Sequence, residues 1–307
     1  MNRRAPPLSS RSHRPQWVGP PLFAALVLTL GLNLSYGAWR AASDATEQQV
    51  RADFDFHVRE LVGSISGRMR TYTDLLHGVQ GLYASSADVT REEFHAYLAV
   101  RDLAGHYPGI QGIGYLPLLP GGQRAAHEAQ ARAQGFPGYA ILPPGARPAI
   151  APITYLEPVN DSNLRAMGHD LLAEPVRRAA LELARDTGQA AMTGKLQLLQ
   201  DGGASTTVYG FLLVMPIFDN GLAHDSVQQR RAALRAWVFA PFRMQDLMRG
   251  VGGEASRLLD LEIYDGDHLD PGAQLYDSLP GTQPASGRLS STQALAIAGH
   301  VWTVRVR

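Results

Sequence analysis

From Asp44 to about Tyr83, apolar residues recur in steps of three and four, at Phe54, Val58, Leu61, Ile65, Met69, Tyr72, Leu76, Val79 and Leu82. A period near 3.6 gathers them on one stripe of a single helix about ten turns long. So narrow a stripe suits a dimer seam, the face of a following domain, or both. Ahead of it, Trp17 to Trp39 (WVGPPLFAALVLTLGLNLSYGAW) carries no charge. At about 1.5 Å per residue this stretch spans a hydrocarbon core of roughly 30 Å. Arg3, Arg4, Arg11 and Arg14 precede it, and Asp44 and Glu47 follow Arg40. That asymmetry predicts a cytoplasmic N-terminus and places everything after Arg40 outside. Trp17, Tyr36 and Trp39 stand where interfacial aromatic belts form. The competing reading is a cleaved signal peptide with Leu22 to Leu34 as its apolar core.

Further on, Thr90 and Glu93 form a capping box, stapled by Val89 and Phe94, which predicts a helix over 91–103. Ile110 to Leu119 reads as a buried strand, and a short helix over 122–133 ends at Gly135. Phe136 to Pro158 holds two short strands around a Pro143-Pro144-Gly145 turn. Pro175 opens a helix that Thr187 and Gly188 terminate. Strands over 189–199 and 206–218 are joined by Asp201-Gly202-Gly203, a hairpin signal because positive φ there favours glycine. After Asp219-Asn220-Gly221 come Leu234 to Phe242, a short helix near 244–250, and strands at LDLEIYD, AQLYDS, RLSSTQALAIA and HVWTVRV. The second half is thus mostly antiparallel strands. The whole is α+β: a long helix, then two small units divided near residues 219–232.

Composition narrows the function. Lys and Arg total 28 and Asp and Glu total 28, so no basic field exists for a nucleic-acid backbone. Cysteine is absent, which removes disulfides, thiolate catalysis and thiolate metal ligands. No His-Glu-x-x-His, Walker or dinucleotide motif occurs, and Gly63-Ser64-Ile65-Ser66-Gly67 has isoleucine where a nucleophile elbow needs serine. Neither a catalytic residue, a metal site nor a cofactor is predicted.

Four segments together resemble the CHASE family, the extracytoplasmic sensor domains of bacterial receptor kinases, cyclic-di-GMP enzymes and plant cytokinin receptors. They are Tyr107 to Leu119 (YPGIQGIGYLPLL), Tyr155 to Asp170 (YLEPVNDSNLRAMGHD), Leu171 to Leu198 and Gly210 to Phe218 (GFLLVMPIF). The helix ending in Ala-Arg-Asp-Thr-Gly is the most specific of these, and the likeness extends over roughly residues 75–240. It implies a stalk helix carrying membrane-distal and membrane-proximal PAS-like domains, with ligand in the distal one. In the plant members an aspartate before that helix meets the polar edge of the ligand and a leucine after it offers backbone groups. Matching register puts these on Asp170 and Met192, the methionine being a departure that weakens any shared ligand. A pocket aspartate rewards only partners that satisfy it; its plainer role is a helix cap. Tyr115, Tyr155 and Met192 supply apolar and aromatic walls, or plain core, and Thr193 completes the ligand-binding set. Glu157, Asn163 and His169 are second-line candidates for ligand contact, with a structural role the preferred reading of each.

The expected organisation is a cytoplasmic segment 1–16, a transmembrane helix 17–39, a stalk 40–84, a distal domain 85–225 and a proximal domain 226–307. The expected role is that of a periplasmic small-ligand sensor in the inner membrane, dimeric through the stalk and without nucleic-acid partners. The sequence stops in strand-like residues at Arg307, as the front part of a longer kinase or cyclic-di-GMP enzyme would. A self-contained, membrane-anchored solute-binding protein is the alternative.

Overall fold

The computed structural model describes residues 19–86, 88–202, 208–253, 259–281 and 289–307. Trp17 and the four N-terminal arginines therefore lie outside the described residues, as do Gly203 of the expected hairpin and the starts of the strands expected from Thr206 and Arg288.

A single helix, α1, runs Gly19–Ala84. Its first part, to Phe54, forms a unit by itself. Leu22, Phe23, Leu26, Val27, Leu28 and Leu30 are all exposed there, and the helix is long and apolar enough to cross a membrane. Residues 55–307 form the second unit. Within it the α1 stripe is buried at Val58, Leu61, Ile65, Met69, Tyr72, Leu76 and Val79, as the period predicts, and it ends on Tyr83 in place of Leu82.

The remaining helices are α2 (Arg91–Ala99), α3 (Leu103–His106), α4 (Arg124–Ala133), α5 (Asp161–Ala166), α6 (Pro175–Thr187), α7 (Val227–Ala233) and α8 (Met244–Met248). The capping box at Thr90 and Glu93 is present. It starts α2, but the helix breaks at Val100 and resumes as α3, short of the single helix expected over 91–103. Gly188, at φ 72, closes α6 in the left-handed conformation that its missing Cβ permits.

Strands β1 (Ile113–Pro117), β2 (Leu119–Pro120), β3 (Ala149–Ile150), β4 (Tyr155–Glu157), β5 (Ala191–Met192), β6 (Leu196–Gln197), β7 (Tyr209–Phe218) and β8 (Leu234–Arg243) precede β9 (Leu261–Asp265), β10 (Gln274–Asp277), β11 (Ser291–Ile297) and β12 (His300–Val306). The first sheet has the order β4-β1-β8-β7-β5, with β6 also on β7; the second has the order β10-β9-β12-β11. Among the described residues, the strand pairings within both are antiparallel. A domain boundary at 225/226 is therefore displaced: β8 pairs with both β1 and β7 and lies inside the first sheet, so the division between the sheets falls after Arg243. The Asp219-Asn220-Gly221 signal marks a turn within one sheet. The YAIL segment likewise forms no strand beyond a bridge from Leu142 to His169.

Strands β7 and β8 are buried almost throughout because both faces of the first sheet are covered. On one face Leu116, Leu156, Leu212, Val214, Trp237 and Phe239 pack with Leu181 and Ala184 of α6. On the other lies α1: Tyr72 meets Phe242 with ring centroids 4.9 Å apart, and Gln80 donates to the Pro216 carbonyl at 2.7 Å. The second sheet meets the first through Trp302, whose ring lies edge-on to Phe211 at 5.1 Å.

Candidate functional site

Tyr115 and Tyr155 are cross-strand partners on β1 and β4, on the sheet face that α1 covers. Their rings stack at 5.5 Å. Tyr83, from the end of α1, stacks on Tyr115 at 4.8 Å with an interplanar angle of 2°. Phe94 of α2 closes the group, 5.7 Å from Tyr155. Burial pushes the Tyr115 phenol up to about 12 and raises those of Tyr83 and Tyr155 as well. The Tyr83 hydroxyl is enclosed without a hydrogen-bond partner.

The capping box at the start of α2 places Arg91 beside this column. Its guanidinium lies 3.9 Å above the Phe136 ring and 5.0 Å from the Tyr155 ring. One nitrogen donates to the Thr154 carbonyl at 2.8 Å, while Nε is buried without an acceptor. Desolvation lowers the pKa of Arg91, as it must for a cation whose hydration is only partly replaced.

Thr154 joins the next layer. Its hydroxyl donates to the Pro152 carbonyl, so His127 Nε2, 3.0 Å away, must be the donor to that hydroxyl. Burial lowers the pKa of His127, against a smaller upward pull from Glu128. The Tyr139 hydroxyl donates to the Ile153 carbonyl at 3.2 Å, and burial raises its pKa. Phe136 and Tyr139 are also walls of a groove of about 510 Å³ that Gly135, Pro137, Gly138, Val159, Leu164 and Met167 complete. An apolar groove of this volume, with the half-buried Arg91 stacked on its Phe136 wall, has the makeup of a small-molecule site.

The five residues expected to bind ligand fall in three places. Tyr115 and Tyr155 come together in the aromatic column. Asp170 lies elsewhere, with its side chain fully enclosed. Its Oδ1 accepts from the Ala151 and Leu172 N–H groups at 2.8 and 3.0 Å, and its Oδ2 accepts from Arg147 Nε at 2.9 Å. It thereby caps the 3-10 turn Leu171–Ala173 and pins the loop before β3. Met192 and Thr193 sit at β5, the opposite edge of the sheet from β4. Four strand spacings separate those edges, about 19 Å at roughly 4.8 Å each. Thr193 exchanges hydrogen bonds with Leu212, through its backbone N–H and its hydroxyl oxygen, and the Met192 N–H donates to the Ala298 carbonyl of the second sheet.

Arg91, His127, Phe136, Tyr139 and Thr154 carried no sequence signal of a site. The capping box fixed the helical position of Arg91, but nothing local distinguishes it from the other arginines. Phe136 and Tyr139 lie in a proline- and glycine-rich stretch whose path is set by tertiary contacts.

A family model described as CHASE domain matches residues 87–276. No curated protein matches. Among solved structures, the ligand-binding domain of the Pseudomonas aeruginosa PAO1 amino-acid chemoreceptor PctC, in complex with GABA, is similar at 11% identity and a TM-score of 0.46, over 84% of this chain and 99% of that one. The periplasmic sensory domain of the Campylobacter jejuni chemoreceptor Tlp1 is similar at 9% identity and a TM-score of 0.42, over 84% and 92%. An extracellular ligand-binding receptor from Desulfohalobium retbaense is similar at 10% identity and 0.40, over 84% of this chain and 38% of that one.

Proposed function

Because the chain belongs to the CHASE domain family, we propose that it senses a small organic ligand on the periplasmic side of the inner membrane, in the groove of its first sheet domain, and relays occupancy to an output domain. The observation that carries this reading is the groove of about 510 Å³ walled by Phe136 and Tyr139, with the Arg91 guanidinium seated on Phe136. A ligand with an apolar body suits it, since Phe136, Pro137, Tyr139, Val159, Leu164 and Met167 make up most of its walls. The chain acts by binding, with no chemistry of its own.

Signalling requires that ligand favour one of two arrangements. The apolar part of α1 anchors the chain, and its stalk part pairs with a second copy in the receptor dimer. Tyr115 and Tyr155 link the groove to the end of α1 through Tyr83. Asp170 holds the loop before β3 in register, and Met192 with Thr193 ties the far edge of the sheet to the second sheet. The output domain is a histidine kinase or a cyclic-di-GMP enzyme.

A thermal-shift screen of the full chain in detergent against a library of small organic metabolites tests the proposal, with Phe136→Ala and Arg91→Ala run in parallel. A hit that raises the melting temperature of the parent and loses that effect in both variants supports it. Equal stabilisation of all three proteins by every hit places the ligand elsewhere.

A further inference from the structure

A second cavity, of about 220 Å³, lies between α2, α3 and the end of β4. Leu98, Ala99, Leu103, Ala104 and Pro158 form its apolar sides, and His95, Asp102 and Glu157 supply its polar atoms. No lysine or arginine lines it. Glu157 is the unusual member: its side chain is only 5% exposed, and its one hydrogen bond among the described residues joins Oε2 to His95 Nδ1 at 2.9 Å. The other carboxylate oxygen has no partner there. Arg91 contributes charge from the far side, but its guanidinium is spent on the Thr154 carbonyl and the Phe136 ring. A desolvated carboxylate with an unused acceptor on a cavity wall favours a hydrogen-bonding cation.

From this geometry we infer a second binding site, specific for a small primary aliphatic amine in its ammonium form. The ammonium donates to the free Glu157 oxygen and is held electrostatically by Asp102, and the alkyl chain lies on Leu98, Leu103 and Pro158. The lining selects this class on four counts. A primary ammonium has three donors to offer a carboxylate. A quaternary ammonium needs a cage of phenyl, phenol or indole rings, and no phenylalanine, tyrosine or tryptophan lines the cavity. An amino acid brings a carboxylate that Glu157 and Asp102 repel. No group of three or more metal-ligating side chains converges among the described residues, so a metal ion lacks its ligands. The volume is below the roughly 300–1,000 Å³ of ordinary ligand pockets and limits the guest to a short chain.

Calorimetric titration of the full chain in detergent with propylammonium chloride tests the site, with propan-1-ol as the neutral isostere and sodium chloride as the ionic control. Saturable binding of propylammonium alone is expected, with a loss of at least tenfold in affinity in Glu157→Gln and a smaller loss in Asp102→Asn. Ala104→Phe, which fills the cavity and leaves both carboxylates in place, abolishes binding. Phe136→Ala, in the separate groove, leaves it unchanged. Equal heats from propylammonium and propan-1-ol, full affinity in Glu157→Gln or in Ala104→Phe, or loss of binding in Phe136→Ala would each overturn the assignment.

Discussion

Arg147 donates from Nε to Oδ2 of Asp170 at 2.9 Å, pairing a partly exposed guanidinium with a fully enclosed carboxylate. The same guanidinium donates to the Pro143 carbonyl at 2.7 Å, so one side chain fastens both ends of the turn that precedes β3. Two backbone N–H groups complete the coordination of Asp170.

Asp170→Ala strands those two donors and leaves Arg147 without its anion. The expected loss of stability is about 3 kcal/mol. Arg147→Ala costs less, about 1–2 kcal/mol, because the carboxylate keeps both backbone donors. Urea unfolding of the two variants checks the order; equal stability of Asp170→Ala and the parent would show that the carboxylate is not structural.

Tyr83→Phe has the opposite sign from most core substitutions. Its hydroxyl is buried without a partner, so removing it abolishes a desolvation cost while the stack on Tyr115 is kept. A change between zero and about 1 kcal/mol toward greater stability is expected, read as a higher urea midpoint at unchanged slope. A clear destabilisation would mean that the hydroxyl has a partner in solution.

Ala298 occupies φ 46 and is followed by Gly299 at φ 71, as a two-residue hairpin between β11 and β12 requires. Glycine removes the Cβ that makes this conformation costly, so Ala298→Gly stabilises by about 1 kcal/mol. The Met192 hydrogen bond to the residue 298 carbonyl is retained, since it uses backbone only. A lowered melting temperature would refute the turn assignment.

Acidification below about pH 6.5 weakens the fold. Burial lowers the pKa values of His127 and His169 below their ordinary 6.5, so the unfolded chain takes up protons first and gains relative to the native state. The loss begins as pH falls through about 6.5 and continues until the native-state values are passed. Carboxylates held low, such as Asp265 and Glu128, add their own loss only in the more acidic carboxylate range. His127→Gln, which keeps a donor for Thr154, should flatten the stability profile between pH 6.5 and about 5. An unchanged slope would assign it to His169.

What the amino-acid sequence settled is local. The three-and-four spacing of apolar residues placed the α1 stripe, the Thr90 and Glu93 box placed the start of α2, and Gly188 placed the end of α6, because each is enforced within a turn or two of chain. The CHASE likeness was legible too, being carried by short ordered segments. Tertiary structure alone decided which strands are neighbours. A turn signal at 219–221 says that the chain reverses, whereas the insertion of β8 between β1 and β7 depends on burying both faces of a sheet against α1 and α6. The same non-local choice separates Tyr155 from Met192 by the width of the sheet and brings Arg91 over Phe136 from 45 positions away in sequence. Such pairings are held by burial and by hydrogen bonds between distant segments, and neither leaves a periodic trace along the chain.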